Sequence, residues 1–119
     1  MQSQDLKKHQ WENRIIVVSS PEFDNAKAAL QLDLLKQHPQ GLKDRKLIIY
    51  HVTNRGYTLD FSSEIVTSEN SEFEISEYNV SLIGLDGTEK FHATEPQPAE
   101  TFFDLIDAMP MRQAEMDNN

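Results

Sequence analysis

The sequence predicts a single-domain α/β fold, a mixed sheet with helices on its faces in a three-layer α/β/α arrangement. Two observations carry this. Arg14–Ser19 and Lys46–Val52 are nearly continuous apolar runs rich in β-branched residues, and they flank an amphipathic helical stretch. Such runs suit strands buried on both faces of a parallel sheet. Farther along, Tyr78–Gly84 alternates apolar and polar residues, and Asp86-Gly87 separates it from Thr88–Ala93. That pattern reads as an antiparallel hairpin, and a last amphipathic segment follows it. The order is β-α-β, a variable segment, then β-β-α.

The elements follow in chain order. Trp11 precedes the first strand and is expected to fold onto the core edge, its indole N–H near water or a carbonyl. After the strand, Ser19-Ser20-Pro21-Glu22 reads as a helix start, with serine caps, proline in the first turn and the spacing of a capping box. The helix is expected over Pro21–Gln37, with Phe23, Ala26, Leu30 and Leu34 as its apolar stripe, widened by Leu35. His38-Pro39-Gln40-Gly41 should end it, Gly41 serving as the left-handed cap. Residues 53–77 carry a turn at Asn54-Arg55-Gly56 and then a stretch rich in serine and glutamate. One short helix and the most mobile part of the chain are expected there. In the hairpin, Tyr78, Val80 and Leu82 share a face. Pro96-Gln97-Pro98 opens the last helix, whose stripe is Phe102, Phe103, Ile106 and Met109, and Pro110 should break it. Flexible ends are expected at residues 1–10 and 113–119.

Composition bounds the chemistry. The chain has 119 residues, enough for one domain with a real core. Its formal net charge is −9, which repels phosphate backbones, so no nucleic-acid partner is expected. The longest wholly apolar run, Ile15–Val18, is far short of the ~20 residues that span a bilayer, so no membrane insertion is expected. Residues 1–10 are polar and carry no signal-peptide pattern. There is no cysteine. Thiol–disulfide and thiol–peroxide chemistry are therefore excluded.

Three strings stand out. Trp11-Glu12-Asn13-Arg14 leads into the first strand. Leu82-Ile83-Gly84-Leu85-Asp86-Gly87 forms the hairpin. Ile106-Asp107-Ala108-Met109-Pro110-Met111-Arg112, with Glu115 beyond, closes the chain. With the element order, they resemble a thioredoxin-like family of unknown function. That family is shared by prokaryotic proteins and the vertebrate Drs, Equarin and sushi-repeat extracellular proteins. The family hairpin usually reads Gly-Lys-Asp-Gly, and here Leu85 replaces the lysine. The resemblance implies a thioredoxin-like fold and no particular reaction. Because relatives usually carry export signals, it also implies a periplasmic or secreted protein of bacterial type, with a cytoplasmic location as the alternative.

In thioredoxins the redox pair sits where the first strand meets the first helix. The matching position here is Ser19, Ser20, Pro21 and Glu22, a degenerate redox site. Hydroxyls do not form disulfides or accessible anions near neutral pH, so the serines read as caps, with an anion site at the helix start as the alternative. Glu22 would already occupy the positive end of the dipole. No proline stands at Glu77, Tyr78 or Asn79, so the cis-proline of that fold is missing too.

Other constellations are weaker. Ser20, His51 and Asp86 can be drawn as a triad, but no nucleophile-elbow pattern surrounds a serine. His9, His38, His51 and His92 lack metal-ligand spacing, although His51 and His92 both fall on strands and could approach. Asp86-Gly87 is a turn, not a calcium loop. No cofactor or metal is expected.

Met109-Pro110-Met111-Arg112 is the most distinctive string. It serves either as a helix stop, with Arg112 on the last carbonyls, or as a docking surface. In the docking reading Met111, Arg112, Glu115, Asp107 and Glu95 form the interaction surface, and Asp107 or Glu95 holds Arg112 by a bidentate bond. The function expected is a non-enzymatic interaction domain, taking a protein or matrix-like partner or a second copy of itself. The alternative is a cysteine-independent enzyme or metal-binding protein with its site near the first strand–helix junction.

Overall fold

The computed structural model describes residues 10–67 and 75–117. Six strands form one mixed sheet: β1 (Arg14–Ser19), β2 (Leu47–Thr53), β3 (Gly56–Leu59), β4 (Val66–Thr67), β5 (Asn79–Ile83) and β6 (Glu89–Ala93). Four helices accompany them: α1 (Ala26–Lys36), α2 (Pro39–Asp44), α3 (Ala99–Asp107) and α4 (Pro110–Asp117). The strand order is β4-β3-β2-β1-β5-β6. β1 is the hub. It runs parallel to β2, from Arg14 opposite Leu47 to Ser19 opposite Val52. On its other side it runs antiparallel to β5, from Ile15 opposite Ile83 to Ser19 opposite Asn79. All remaining pairings are antiparallel. The α/β class expected from the sequence is the class observed.

The side-chain period of two divides the sheet's apolar residues into two sets. Ile16, Val18, Leu47, Ile49, Val80 and Leu82 join Ala28, Leu35, Leu42, Phe102, Phe103 and Ile106 from α1, α2 and α3 in the main core. Ile15, Tyr50 and Val52 form a second cluster with Val17, Ile48, Tyr57, Ile75 and Ile83, and no described helix contributes to it. The three-layer expectation puts helices on both faces. Among the described residues, the buried apolar side chains of the helices all go to the main core.

The first helix starts five residues later than expected. Its cap is Asn25, whose side chain accepts the Ala28 N–H at 3.0 Å. Ser19 stays in β1. The Ser20 hydroxyl is engaged elsewhere, so neither serine caps the helix and the Ser19–Glu22 capping box does not form. The buried stripe of α1 is Ala28, Gln31 and Leu35, while Leu30 is 50% exposed. Pro39 does not merely stop that helix. It occupies the first turn of α2, where its missing N–H costs nothing. Gly41 is therefore inside α2, not a cap. A Cβ there would lie 2.7 Å from the Phe103 ring, so glycine lets α2 and α3 pack closely.

In the variable segment Gly56–Leu59 and Val66–Thr67 form β3 and β4; the short helix was expected over Ser62–Ser76, of which 68–74 lie outside the described residues. Gly56 sits at φ +151°, and a Cβ on it would meet the Val66 carbonyl at 2.2 Å. Glycine is what allows β3 and β4 to close there. Trp11 is 61% exposed at φ +72°, not folded on the core edge. Its backbone N–H, not its indole, makes the anchoring contact, to the Leu85 carbonyl at 2.6 Å. Pro110 ends α3 and opens α4, which continues to Asp117.

Candidate functional site

Two places combine polar groups with a cavity. The first is the junction after β1. Ser20 is fully buried, and its Oγ lies 2.7 Å from the Glu22 carbonyl and 2.8 Å from His51 Nε2. A hydroxyl has one proton. Ser20 gives it to Glu22 O, so His51 must carry its proton on Nε2 and donate to Ser20 Oγ. The imidazole is then a donor to the serine, not its base, and the hydroxyl is not activated as a nucleophile. Beside His51 a cavity of about 400 Å³ opens between Phe23, Leu32, Lys36, Phe61 and Ile65. The Phe23 ring meets His51 edge-on at 5.2 Å.

Burial lowers the His51 pKa from its ordinary 6.5, because the charged ring loses its water. The unfolded chain therefore takes up this proton first. Stability is complete above pH 6.5, falls as pH drops below it, and levels off under the folded pKa. His51→Gln is expected to remove this slope, read as the urea midpoint between about pH 7.5 and about pH 5, the range in which a histidine changes charge. An unchanged slope in the variant would assign it to another group.

The rest of the triad does not assemble. Asp86 lies in the β5–β6 turn, which joins the Ile83 end of β5, while Ser20 follows the opposite end of β1. Its carboxylate accepts from Lys90 Nζ at 2.9 Å and from the Thr88 hydroxyl and N–H at 2.8 and 3.0 Å. Those bonds hold its pKa down at about 2. His51 and His92 do not approach either. They sit on β2 and β6 with β1 and β5 between them, ~14 Å at ordinary strand spacing. No three His, Asp or Glu side chains among the described residues converge as metal ligands. Glu22 does not face a helix start but pairs with Arg55 at 3.5 Å.

The second place is the opposite end of β1. Here Arg14 is 1% exposed. Its Nη1 donates to the Arg45 carbonyl at 2.9 Å and to Glu115 at 3.2 Å. Arg45 holds Asp107 through two parallel bonds, Nε to Oδ1 at 3.0 Å and Nη2 to Oδ2 at 2.8 Å. Arg112 is 4% exposed and reaches Asp107 at 3.1 Å, Asp44 at 2.6 Å, the Asp44 carbonyl at 3.1 Å and Glu115 at 3.4 Å. Arg45, with help from Arg112, keeps the Asp107 carboxyl ionised below its usual range. Lys46 lies 3.9 Å from Glu115. Four cations are thus tied to three carboxylates. Next to them a cavity of about 270 Å³ lies between Arg14, Leu85, Lys90, Met109 and Met111. Arg14 Nε and Nη2 are buried and have no hydrogen-bond partner among the described residues. Each such donor costs about 1–3 kcal/mol when left unpaired.

Of the residues expected to form an interaction surface, the structure brings Asp107, Met111, Arg112 and Glu115 together. Met111 is 41% exposed, whereas Arg112 faces inward. Asp107 holds Arg112 through one oxygen and gives its bidentate bond to Arg45. Glu95 stands apart, paired with Lys27. Sequence reasoning missed Arg14, Asp44, Arg45 and Lys46 as members. The one available signal was that Arg14 ends the Trp11–Arg14 string.

With this geometry in view, the relatives are informative. A model of the family described as "Domain of unknown function (DUF4174)" matches residues 5–115. The chain belongs to this family. None of the curated proteins matches the sequence. Among solved structures, the DUF4174 chain is similar to the reduced 2-Cys peroxiredoxin of Plasmodium vivax, with a TM-score of 0.62 and 10% identity. The similarity covers 92% of this chain and 84% of the peroxiredoxin. At that identity it shows the fold alone. The DUF4174 domain thus has a thioredoxin-like fold, as its motifs imply, and carries it without cysteine.

Proposed function

We propose that this DUF4174 domain is a non-enzymatic binding module whose recognition surface is the motif-bearing end of the sheet. One observation carries the reading. The three distinctive strings, far apart in sequence, end at one place: Arg14 from the first, Leu85 and Asp86 from the second, Met109, Pro110 and Met111 from the third all line a single cavity. The peroxiredoxin it resembles is named for two cysteines, and this chain has none. At the position where the fold would hold a thiol stands Ser20, buried and with its proton already donated. The partner is a protein, extracellular-matrix-like or a second copy, and the setting is periplasmic or secreted, as the family resemblance implies. Exposed Met111 and Met116 on α4 supply soft apolar contact for it.

The competing reading is a cysteine-independent enzyme at the first strand–helix junction. The 400 Å³ cavity beside His51 favours it, and the direction of the Ser20 proton argues against it.

Met111→Lys tests the binding reading. Cross-linked partners recovered from the native host, and the sedimentation-equilibrium mass, are compared for the two proteins. A protein or self-association lost with Met111→Lys, at unchanged melting temperature, is the expected result. The same partners and the same mass for both would sink it.

A further inference from the structure

The ion cluster at the Arg14 end is incomplete in a specific way. Arg14 uses only Nη1. Its Nε and Nη2, which lie side by side on one edge of the guanidinium, have no partner among the described residues. That same edge of Arg45 holds the Asp107 carboxylate with both oxygens. A planar fork of two N–H groups matches a carboxylate better than any other common anion of one charge. Among the described residues the cluster also lacks one negative charge: Arg14, Arg45, Lys46 and Arg112 are tied to Asp44, Asp107 and Glu115. This happens in a chain of net charge −9, so the local excess of cation is not a sample of the general surface.

The cavity supplies the rest of a recognition site. Leu85, Met109, Pro110 and Met111 give it an apolar wall, and Lys90 at the rim is already paired with Asp86. At about 270 Å³ it is smaller than the usual sites for drug-sized molecules. We propose that this cavity binds a small carboxylate with a short apolar tail, gripped at both oxygens by Arg14 Nε and Nη2. Both nitrogens are shut off from bulk water, so the ligand displaces part of the lining as it enters. Met111, unbranched and 41% exposed, is the side chain free to swing. The inference rests on the reading of this end as the recognition end and gives that end a ligand.

Two sources share this chemistry, a free short-chain acid and the carboxyl end of a peptide with an apolar last residue. Hexanoate and N-acetyl-leucine are the two probes, with hexanamide and N-acetyl-leucinamide as uncharged controls. The readout is the Nε–H resonance of Arg14 in the isotope-labelled full chain, with the melting temperature measured alongside. At millimolar concentration one or both acids are expected to move that resonance and raise the melting temperature, and the amides to do neither. The stronger acid identifies the source. Arg14→Lys, which keeps charge but not the fork, should weaken binding at least ~10-fold, the scale of one lost charge-assisted bond. Because Arg14→Lys can also weaken the fold, Met111→Trp is the second variant. It fills the cavity, leaves Arg14 in place, and should abolish binding at unchanged stability. No shift with either acid, or equal shifts with acids and amides, would overturn the proposal and leave only trapped water at Arg14. In that event a partner lost with Met111→Lys would still uphold the binding module. If the acids bind while that partner test fails, the end recognises a small molecule alone.

Discussion

Arg112→Ala is expected to lower the unfolding free energy by about 2–4 kcal/mol, close to the cost of breaking a buried ion pair. Arg112 joins three parts of the molecule. It belongs to α4, it holds Asp107 at the end of α3, and it reaches the side chain and carbonyl of Asp44 at the end of α2. Truncation leaves the Asp44 carbonyl without this donor and removes the only arginine that bridges α2 to α4 among the described residues. The loss stays below the upper limit for buried pairs because Asp44 is 59% exposed and can return to water. Arg112→Lys should recover less than half of it, since one ammonium cannot span Asp107 and Asp44 together. Urea unfolding checks both variants. A change under about 0.5 kcal/mol for Arg112→Ala, the size of an exposed pair, would mean that solvent screens the cluster. Met111→Ala, one residue earlier and exposed, should leave stability nearly unchanged. The pair of variants therefore separates the helix-stop role of the string from its surface role.

Gln31→Leu is expected to cost about 3–5 kcal/mol, although it replaces a polar residue in the core with an apolar one of similar size. Gln31 is fully buried. Its Oε1 accepts from the Tyr78 hydroxyl and from the Gln97 N–H, each at 2.8 Å, and its Nε2 donates to the Gln97 carbonyl at 2.8 Å. Leucine would strand all three groups at once. Burial, with the Glu95 charge adding to it, pushes the Tyr78 hydroxyl far above its ordinary titration, so it cannot escape its lost acceptor by ionising. Gln31→Glu offers a check on geometry, because it keeps the acceptor for Tyr78 and Gln97 N–H but loses the donor to Gln97 O. With the carboxyl protonated its O–H can restore that donor, so Gln31→Glu should approach wild type at low pH and fall below it as the carboxyl ionises. A Gln31→Leu protein as stable as wild type would show that water fills the gap.

These residues also explain what was legible in the sequence. β1 and the hairpin could be read from short-range patterns alone, because a β-branched run and an Asp-Gly turn act over neighbouring residues. The stripe of α3, Phe102, Phe103 and Ile106, is buried as the spacing demands. α1 was misplaced because two cap signals compete. Ser19-Ser20-Pro21 is the stronger string locally, but the Ser20 hydroxyl is drawn off by Glu22 O and His51, and Asn25 caps instead. Its stripe was misread because Gln31 is polar and buried, stabilised by partners 47 and 66 residues away. β3 and β4 are only four and two residues long, too short for a period to show, and their closure depends on one glycine at a backbone angle no sequence pattern displays. The Arg14 site left a single local trace, the Trp11–Arg14 string, for the same reason at larger scale. Its ion pair with Glu115 spans 101 residues, and no periodicity reports on such a distance.

The central place of β1 has a consequence for the order in which the chain is made. β2 is available to pair with β1 once residue 53 has emerged, but the other flank of β1 waits for Asn79–Ile83. The ring and aliphatic groups that roof the main core, Phe102, Phe103 and Ile106, come later still. Between the completion of β2 and the arrival of β5 the chain carries Ile15–Val18 as an open sheet edge with one apolar face uncovered. Such an edge invites pairing with other chains. The nascent domain is therefore most in need of a chaperone after its first half is complete, and it becomes safe to release only when α3 is clear of the ribosome.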